Sequence, residues 1–332
     1  MLTAGAIITL EHGHYRLREQ IAGSAYGVIW RAAGPLREVA LKLINREQMA
    51  LAAAAQRARW VASAGNEIAF LRSLREWDGR HIVRLLDSGV HEGLPVLALE
   101  LMAGDLAQHM ARLKRAGATP PFAQVLDWVE QINQALAKVH QYGWRYLDLK
   151  PANVLLDPQG KGVKLADFGS NRAAAETQPH SYAGTASWQA PEQFFPGPDE
   201  AYATEARSDY FALGALFYFL VTGAALRFCS DCGQAYREHH TAGAGLLLRR
   251  GDGAIPATLL APEEALFARR VASSAGAACG REALALLRTL LDAAPAARPR
   301  HALHISRLLA PIRAALTLHA PTQGQAMSGA RP

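Results

Sequence analysis

The sequence predicts an α+β protein of two lobes, a small strand-rich front carrying one helix and a larger, mainly helical back, with a cleft between them. Three observations carry this. Before residue 102, short apolar runs alternate with turn residues, the mark of strands. Between 46 and 76 an Ala-rich stretch with Arg, Glu and Gln and no Pro interrupts them, a composition that favours helix. Beyond Gly104, apolar residues recur at three- and four-residue steps. Half of the 332 residues are apolar and only 19% are charged, which supplies a large core and argues against disorder.

Taken in order, residues 14–45 read as strands around a Gly/Ser turn, with 39–44 an apolar run holding one Lys. Two more strands are expected at 82–86 and 94–101. Val125, Leu126, Val129, Ile132, Leu136 and Val139 share one face of a long helix, and Gly143 is placed to cap it. Runs at 154–156 and 163–165, separated by a Pro-Gln-Gly turn, predict a small hairpin. Helices follow at 207–222, 282–292 and 302–317. The stretch 210–226 carries no charge, but it is shorter than a usual membrane span and lies between Asp209 and Arg227. A buried helix is expected there, not membrane insertion. One folded unit is expected over 14–312, divided into lobes at about 102/103. Residues 313–332 form a tail, which from about 320, rich in Pro, Gly, Gln and Ser, reads as disordered.

The formal net charge is +6, with basic and acidic residues interspersed and no long basic block, so no nucleic-acid partner is expected. Three cysteines make no disulfide framework and favour a reducing compartment, here the cytoplasm. The first residues lack the basic-then-apolar order of a signal peptide.

The chemistry is carried by motifs in one linear order. Ile21-Ala22-Gly23-Ser24-Ala25-Tyr26-Gly27-Val28-Ile29 approximates G-x-G-x-x-G-x-V. Val39-Ala40-Leu41-Lys42 approximates V-A-I-K, with Glu67 on the helix that follows. His81-Ile82-Val83-Arg84-Leu85 and Leu97 to Leu106 come next. Tyr146-Leu147-Asp148-Leu149-Lys150-Pro151-Ala152-Asn153 then supplies D-x-K-P-x-N, the most specific block, and Asp167-Phe168-Gly169 lies fourteen residues beyond Asn153. Gly184-Thr185-Ala186-Ser187-Trp188-Gln189-Ala190-Pro191-Glu192, Ser208-Asp209-Tyr210 and Arg298-Pro299 close the series. Phosphoryl transfer asks for such parts: a cation and amides for phosphates, oxygen ligands for a divalent ion, and a carboxylate for the attacking hydroxyl.

Together these segments, spanning roughly 14 to 312, resemble the eukaryotic-like (Hanks-type) Ser/Thr protein kinase family, in its stand-alone bacterial form. The resemblance implies a bilobal kinase fold and transfer of the γ-phosphoryl group of ATP to hydroxyls of protein substrates, with Mg²⁺ or Mn²⁺ as cofactor. It assigns Asp148 to the hydroxyl proton, Lys150 to charge on the moving phosphoryl group, and Thr185 to contact with both. Asn153 and Asp167 would hold the metal, and Lys42, paired with Glu67, the α- and β-phosphates. Ile21, Gly27, Ile29, Ala40 and Leu155 would border the nucleotide. Leu99 would be the gatekeeper, the backbone of Glu100 and Met102 would meet adenine, and Asp105 the ribose hydroxyls. Glu192 would form a buried pair with Arg298.

The sequence departs from the pattern in three places. Ala22 and Ser24 replace two glycines of the phosphate-covering loop. Tyr146-Leu147 replaces His-Arg ahead of Asp148, so the Arg that would receive a phosphorylated residue is gone. Activity independent of phosphorylation at Thr177, Ser181 or Ser187 is therefore expected, with Tyr146 packing in place of the His. Residues 225–280 fit the family poorly and hold Cys229-x-x-Cys232 followed by His239-His240. That is half of a zinc site, with Cys279 as a further ligand, or else a pair of reduced or redox-sensitive thiols. The alternative function is a pseudokinase, a nucleotide-binding regulatory module, favoured by the altered loop. Retention of Lys42, Glu67, Asp148, Lys150, Asn153 and Asp167 weighs against it. The intact A-P-E segment weighs against a small-molecule kinase.

Overall fold

The computed structural model describes residues 2–24, 26–176, 182, 184–197 and 201–319. An antiparallel sheet of six strands forms the front lobe: β1 (Ile7–Thr9), β2 (His14–Gly23), β3 (Gly27–Ala33), β4 (Glu38–Ile44), β5 (Leu85–His91) and β6 (Leu94–Glu100). Their order across the sheet is β1-β2-β3-β4-β6-β5. Successive residues of a strand point to opposite faces. In β4 this sends Val39, Leu41 and Leu43 into a core with Ile8, Leu10, Tyr15, Leu17 and Trp30. Ala40 and Lys42 are thereby left on the other face, toward the cleft. The sheet takes in β1, ahead of the expected start at residue 14, because Ile8 and Leu10 complete this core.

Between β4 and β5 the single expected helix is two: α1 (Arg46–Leu51), capped by the Asn45 side chain, and α2 (Ala54–Ser73). Both residues at the break, Ala52 and Ala53, have extended backbone. Glu67, Phe70 and Leu71 form the buried face of α2.

The back lobe begins with β7 (Gly104–Asp105), α3 (Leu106–Arg115) and α4 (Phe122–Gln141). All six apolar positions named on α4 are buried, and Gly143 follows its C-cap with φ +77°. Then come β8 (Trp144–Arg145), the hairpin of β9 (Val154–Leu156) and β10 (Val163–Leu165), and β11 (Arg172–Ala173), which pairs with β8. The helices α5 (Pro191–Phe194), α6 (Ala206–Thr222), α7 (Arg227–His239), α8 (Ala242–Arg250), α9 (Ala261–Leu290) and α10 (Ala302–His319) complete the lobe. α10 carries the fold past the expected end at 312.

The charge-free stretch 210–226 is a buried helix only to Thr222; Gly223 ends α6 and the chain turns by 110° into α7. No single helix among the described residues is long and apolar enough to cross a membrane. α9 holds a non-helical residue, Gly276, between its two halves. A single core joins α4, α6, α9 and α10 to Phe70, Leu97 and Leu99 of the front lobe. The lobes also share backbone bonds: Val83 N–H donates to Leu165 O (2.8 Å) and Leu165 N–H to His81 O (2.9 Å).

Candidate active site

The cleft face of β4 presents Lys42 to two carboxylates. Its Nζ lies 2.6 Å from Glu67 Oε2 and 2.8 Å from Asp167 Oδ1. The other Glu67 oxygen accepts the Phe168 amide at 3.2 Å. Burial alone would lower the Lys42 pKa, but Glu67 and Asp167 outweigh it and hold the ammonium above its usual value. Lys42 pulls the Asp167 carboxyl down, whereas burial raises Glu67. Asp167 adopts φ +59°, a left-handed conformation uncommon outside glycine. It turns the carboxylate toward Lys42 while Phe168 goes inward, 4.6 Å from the Phe70 ring and 5.1 Å from Tyr146. Tyr146 also donates its hydroxyl to Ala166 O. The packing expected of Tyr146 in place of the family's His is therefore present.

A second cluster surrounds Asp148. Lys150 Nζ donates to Asp148 Oδ2 (2.7 Å) and to Thr185 Oγ1 (2.8 Å), and the Thr185 hydroxyl donates to Asp148 Oδ1 (2.7 Å). Asn153 Nδ2 donates to the Asp148 carbonyl and to Oδ2, at 2.9 and 3.0 Å. The loop is held from below by Asp209 of α6, which accepts the amides of Tyr146 (2.9 Å) and Leu147 (2.7 Å). Burial raises the Asp148 pKa, Lys150 opposes this, and the Asp167 charge adds to it.

The remaining sequence-derived positions distribute around these clusters. Ile29 pairs with Lys42 across β3 and β4, and Ala40 with Leu99 across β4 and β6. Leu155 lies opposite Asp105 on the neighbouring ladder. Glu100 N–H is taken by Arg84 O at 3.0 Å. Ile21 ends up partly exposed on β2. Met102 lies two residues beyond the end of β6, in the link between lobes. Asp105 caps α3, accepting the Gln108 amide at 2.8 Å, so one of its oxygens is committed to the helix. In the turn between β2 and β3, Ser24 Oγ accepts the amides of Tyr26 (3.2 Å) and Gly27 (3.1 Å). Asn45 Nδ2 ties down Ser24 O at 2.9 Å. Glu192 and Arg298 form a two-pronged pair (2.7 and 2.9 Å), with Ser208 donating to the same carboxylate.

One expectation needs correction. The zinc reading of Cys229, Cys232 and His239 fails on geometry. Both cysteines point into the core from α7, and burial pushes the Cys229 thiol up to about 12 and Cys232 further. His239 is exposed on the last residue of α7, two helical turns or about 10 Å along the axis from Cys232. Among the described residues these side chains, with Cys279, form no group of three metal ligands. Ser187 is no open phosphorylation position. α7 crosses it so closely that a Cβ on Gly233 would lie 2.3 Å from Ser187 Oγ. Thr177 and Ser181 lie outside the described residues, as do Ala25 and the tail from 320.

The comparisons accord with this geometry. The protein kinase domain family matches residues 16–307. The chain belongs to the protein kinase family. Similar kinases include the serine/threonine-protein kinase PknL of Mycobacterium tuberculosis, 34% identical over 46% of this chain and 37% of that protein. PknA of the same organism is 33% identical over 64% of this chain and 47% of its own length. Cyclin-dependent kinase F-4 of Oryza sativa is 28% identical over 63% and 42%. The matches thus span less than half the length of these relatives.

The kinase cleft also fits a divalent cation by its donor set. Asp167 and Asn153 offer hard oxygen ligands with no thiol or imidazole beside them, which suits Mg²⁺ or Mn²⁺ better than zinc. The repulsion between Asp148 and Asp167 is the kind a cation relieves.

Sequence reasoning missed two features of the kinase site. Arg145 is buried and donates to backbone carbonyls of the segment that follows Asp167, and Tyr182 stacks on Tyr236 of α7. The first left no trace because its partners are main-chain atoms. The second joins residues far apart in sequence.

Proposed function

We propose that this kinase transfers the γ-phosphoryl group of ATP to Ser or Thr hydroxyls of protein substrates, in the cytoplasm. One observation carries the reading: the Lys42–Glu67–Asp167 and Asp148–Lys150–Thr185 clusters are both assembled. Lys42, fixed by Glu67, holds the α- and β-phosphates. Asp148 orients the attacking hydroxyl and takes its proton as the new oxygen–phosphorus bond forms and the bond to the departing ADP oxygen breaks. Lys150, already shared between Asp148 and Thr185, neutralises charge on the phosphoryl group in transit. Asn153 and Asp167 hold Mg²⁺ or Mn²⁺, which when bound screens the phosphate oxygens. Ile21, Gly27, Ile29, Ala40, Leu99 and Leu155 border the nucleotide, with the backbone of Glu100 and Met102 at adenine and Asp105 near the ribose. Free, buried thiols support a reducing setting.

A second reading, a nucleotide-binding regulator without transfer, is favoured by the turn in which the Ser24 hydroxyl occupies two amides. The test is label transfer from γ-labelled ATP with Mg²⁺, to the protein itself and to a basic acceptor protein. Wild type is assayed beside Asp167→Ala. Label on the wild type alone is expected. No label with nucleotide still bound would establish the regulator instead.

A further inference from the structure

In the structure Arg145, on β8 just before the catalytic loop, is 5% exposed. Among the described residues it meets no carboxylate directly. Nη2 donates to the carbonyls of Ala173 (2.6 Å) and Glu176 (2.7 Å), and Nη1 to that of Thr204. One buried cation thus joins the strand leading to Asp148, the first stretch of the activation segment, and the approach to α6. A buried charge is costly unless it is hydrogen-bonded; here both Nη atoms of the planar fork are engaged by three carbonyls, while the buried Nε has no partner among the described residues, so the arrangement of those backbones carries the whole of the compensation. Arg172 stands directly opposite Arg145 in the β8–β11 ladder, and its charge is taken by Glu176 at 3.2 Å. Ala174 N–H adds a bond to Gly143 O at 2.7 Å.

Farther along, Tyr182 stacks on Tyr236 with ring centres 4.6 Å apart, meets Tyr202 edge-on at 5.5 Å, and donates its hydroxyl to Gln189 Oε1 at 2.6 Å. Leu147, the residue directly before Asp148, is buried and brings no cation to the segment.

We propose that Arg145 is the positioning residue of the activation segment, its guanidinium clamping residues 173–176 and 204 by their carbonyls so that Thr185 reaches Asp148 without any phosphorylated side chain. This rests on the kinase reading above and names how that site is held ready. Arg145 touches no reacting atom; it acts through the backbone it holds.

The experiment compares phosphatase-treated wild type with Arg145→Leu and Arg145→Lys. The Lys variant keeps the charge but not the fork, and guards against a Leu variant that fails to fold. Three readouts are taken: kcat and KM for ATP and acceptor, affinity for a non-hydrolysable ATP analogue, and cutting after Glu176 by a Glu-specific protease. The expected result is full activity of the dephosphorylated wild type. In the variants kcat falls by about tenfold or more, analogue affinity stays at the wild-type value, and cleavage after Glu176 speeds up by a similar factor. Unchanged kcat and unchanged cleavage in both variants would overturn the proposal. So would loss of analogue binding along with kcat in both variants, which would make Arg145 a general fold residue. If even the wild type transfers no phosphate, the kinase reading fails, and the Glu176 cleavage rates still decide whether Arg145 holds the segment.

Discussion

The Asp148 carboxylate accepts bonds from Lys150, Thr185 and Asn153 together, and burial still holds its pKa above the ordinary aspartate value. In the proposed mechanism transfer needs the ionised form, so activity is expected to be lost as pH falls through this raised pKa. The acid limb of the kcat–pH profile is expected above the range of an exposed aspartate. Thr185 donates to the charged form and so lowers the pKa. Thr185→Val is expected to move the acid limb to still higher pH as well as to reduce kcat. A limb that stays in place, measured at saturating ATP and Mg²⁺, would remove Asp148 from that role. The same carboxylate shows how single residues were legible in sequence. Asp148, Lys150, Asn153 and Asp167 stand in fixed spacings; Lys150 and Asn153 both meet the Asp148 carboxylate, and Asp167 meets Lys42. Arg145 has no spacing to read, since any residue can offer a carbonyl.

Among the elements, α5 is fastened to the loop before α10 by the Glu192–Arg298 pair. Arg298 also donates to the carbonyls of Asp292, Arg207 and Ala293 and lies over the Phe211 ring. Arg298→Met leaves Glu192 with Ser208 alone and is expected to destabilise the fold by about 3–5 kcal/mol in urea unfolding. The double variant with Glu192→Gln should lose less than the sum of the two singles. The pairing was readable because both partners sit in short motifs. The helices α7 and α8 were not. Phe228, Cys229, Cys232 and Ala235 do recur at helical spacing, but the Cys-x-x-Cys drew attention to metal chemistry instead. α1 and α2 read as one helix because the Ala pair between them favours helix by composition; only their extended backbone separates the two.

For the molecule as a whole, all three thiols are buried in the back-lobe core. A thiol reagent is therefore expected to react with none of them in the native protein and with all three only on unfolding, and metal analysis to find no stoichiometric zinc. Fast reaction of two thiols in native conditions would mean that α7 leaves its place beside Ser187. The two-lobe plan was evident from the change of apolar period near Gly104, whereas the extent of the folded unit was not. β1 adds its strand through Ile8 and Leu10, too short a run to register as a strand in sequence.

The backbone bonds linking His81 and Val83 to Leu165 give the cleft a mechanical character. They lie at its rear, a few residues from Asp167, and act as a pivot pin. A swing of the lobes about this pin is expected to displace Asp167, two residues from Leu165, far less than the turn at Ser24 and Tyr26. The cleft proposed for nucleotide then opens at its mouth while the ion pair of Asp167 with Lys42 stays at the hinge.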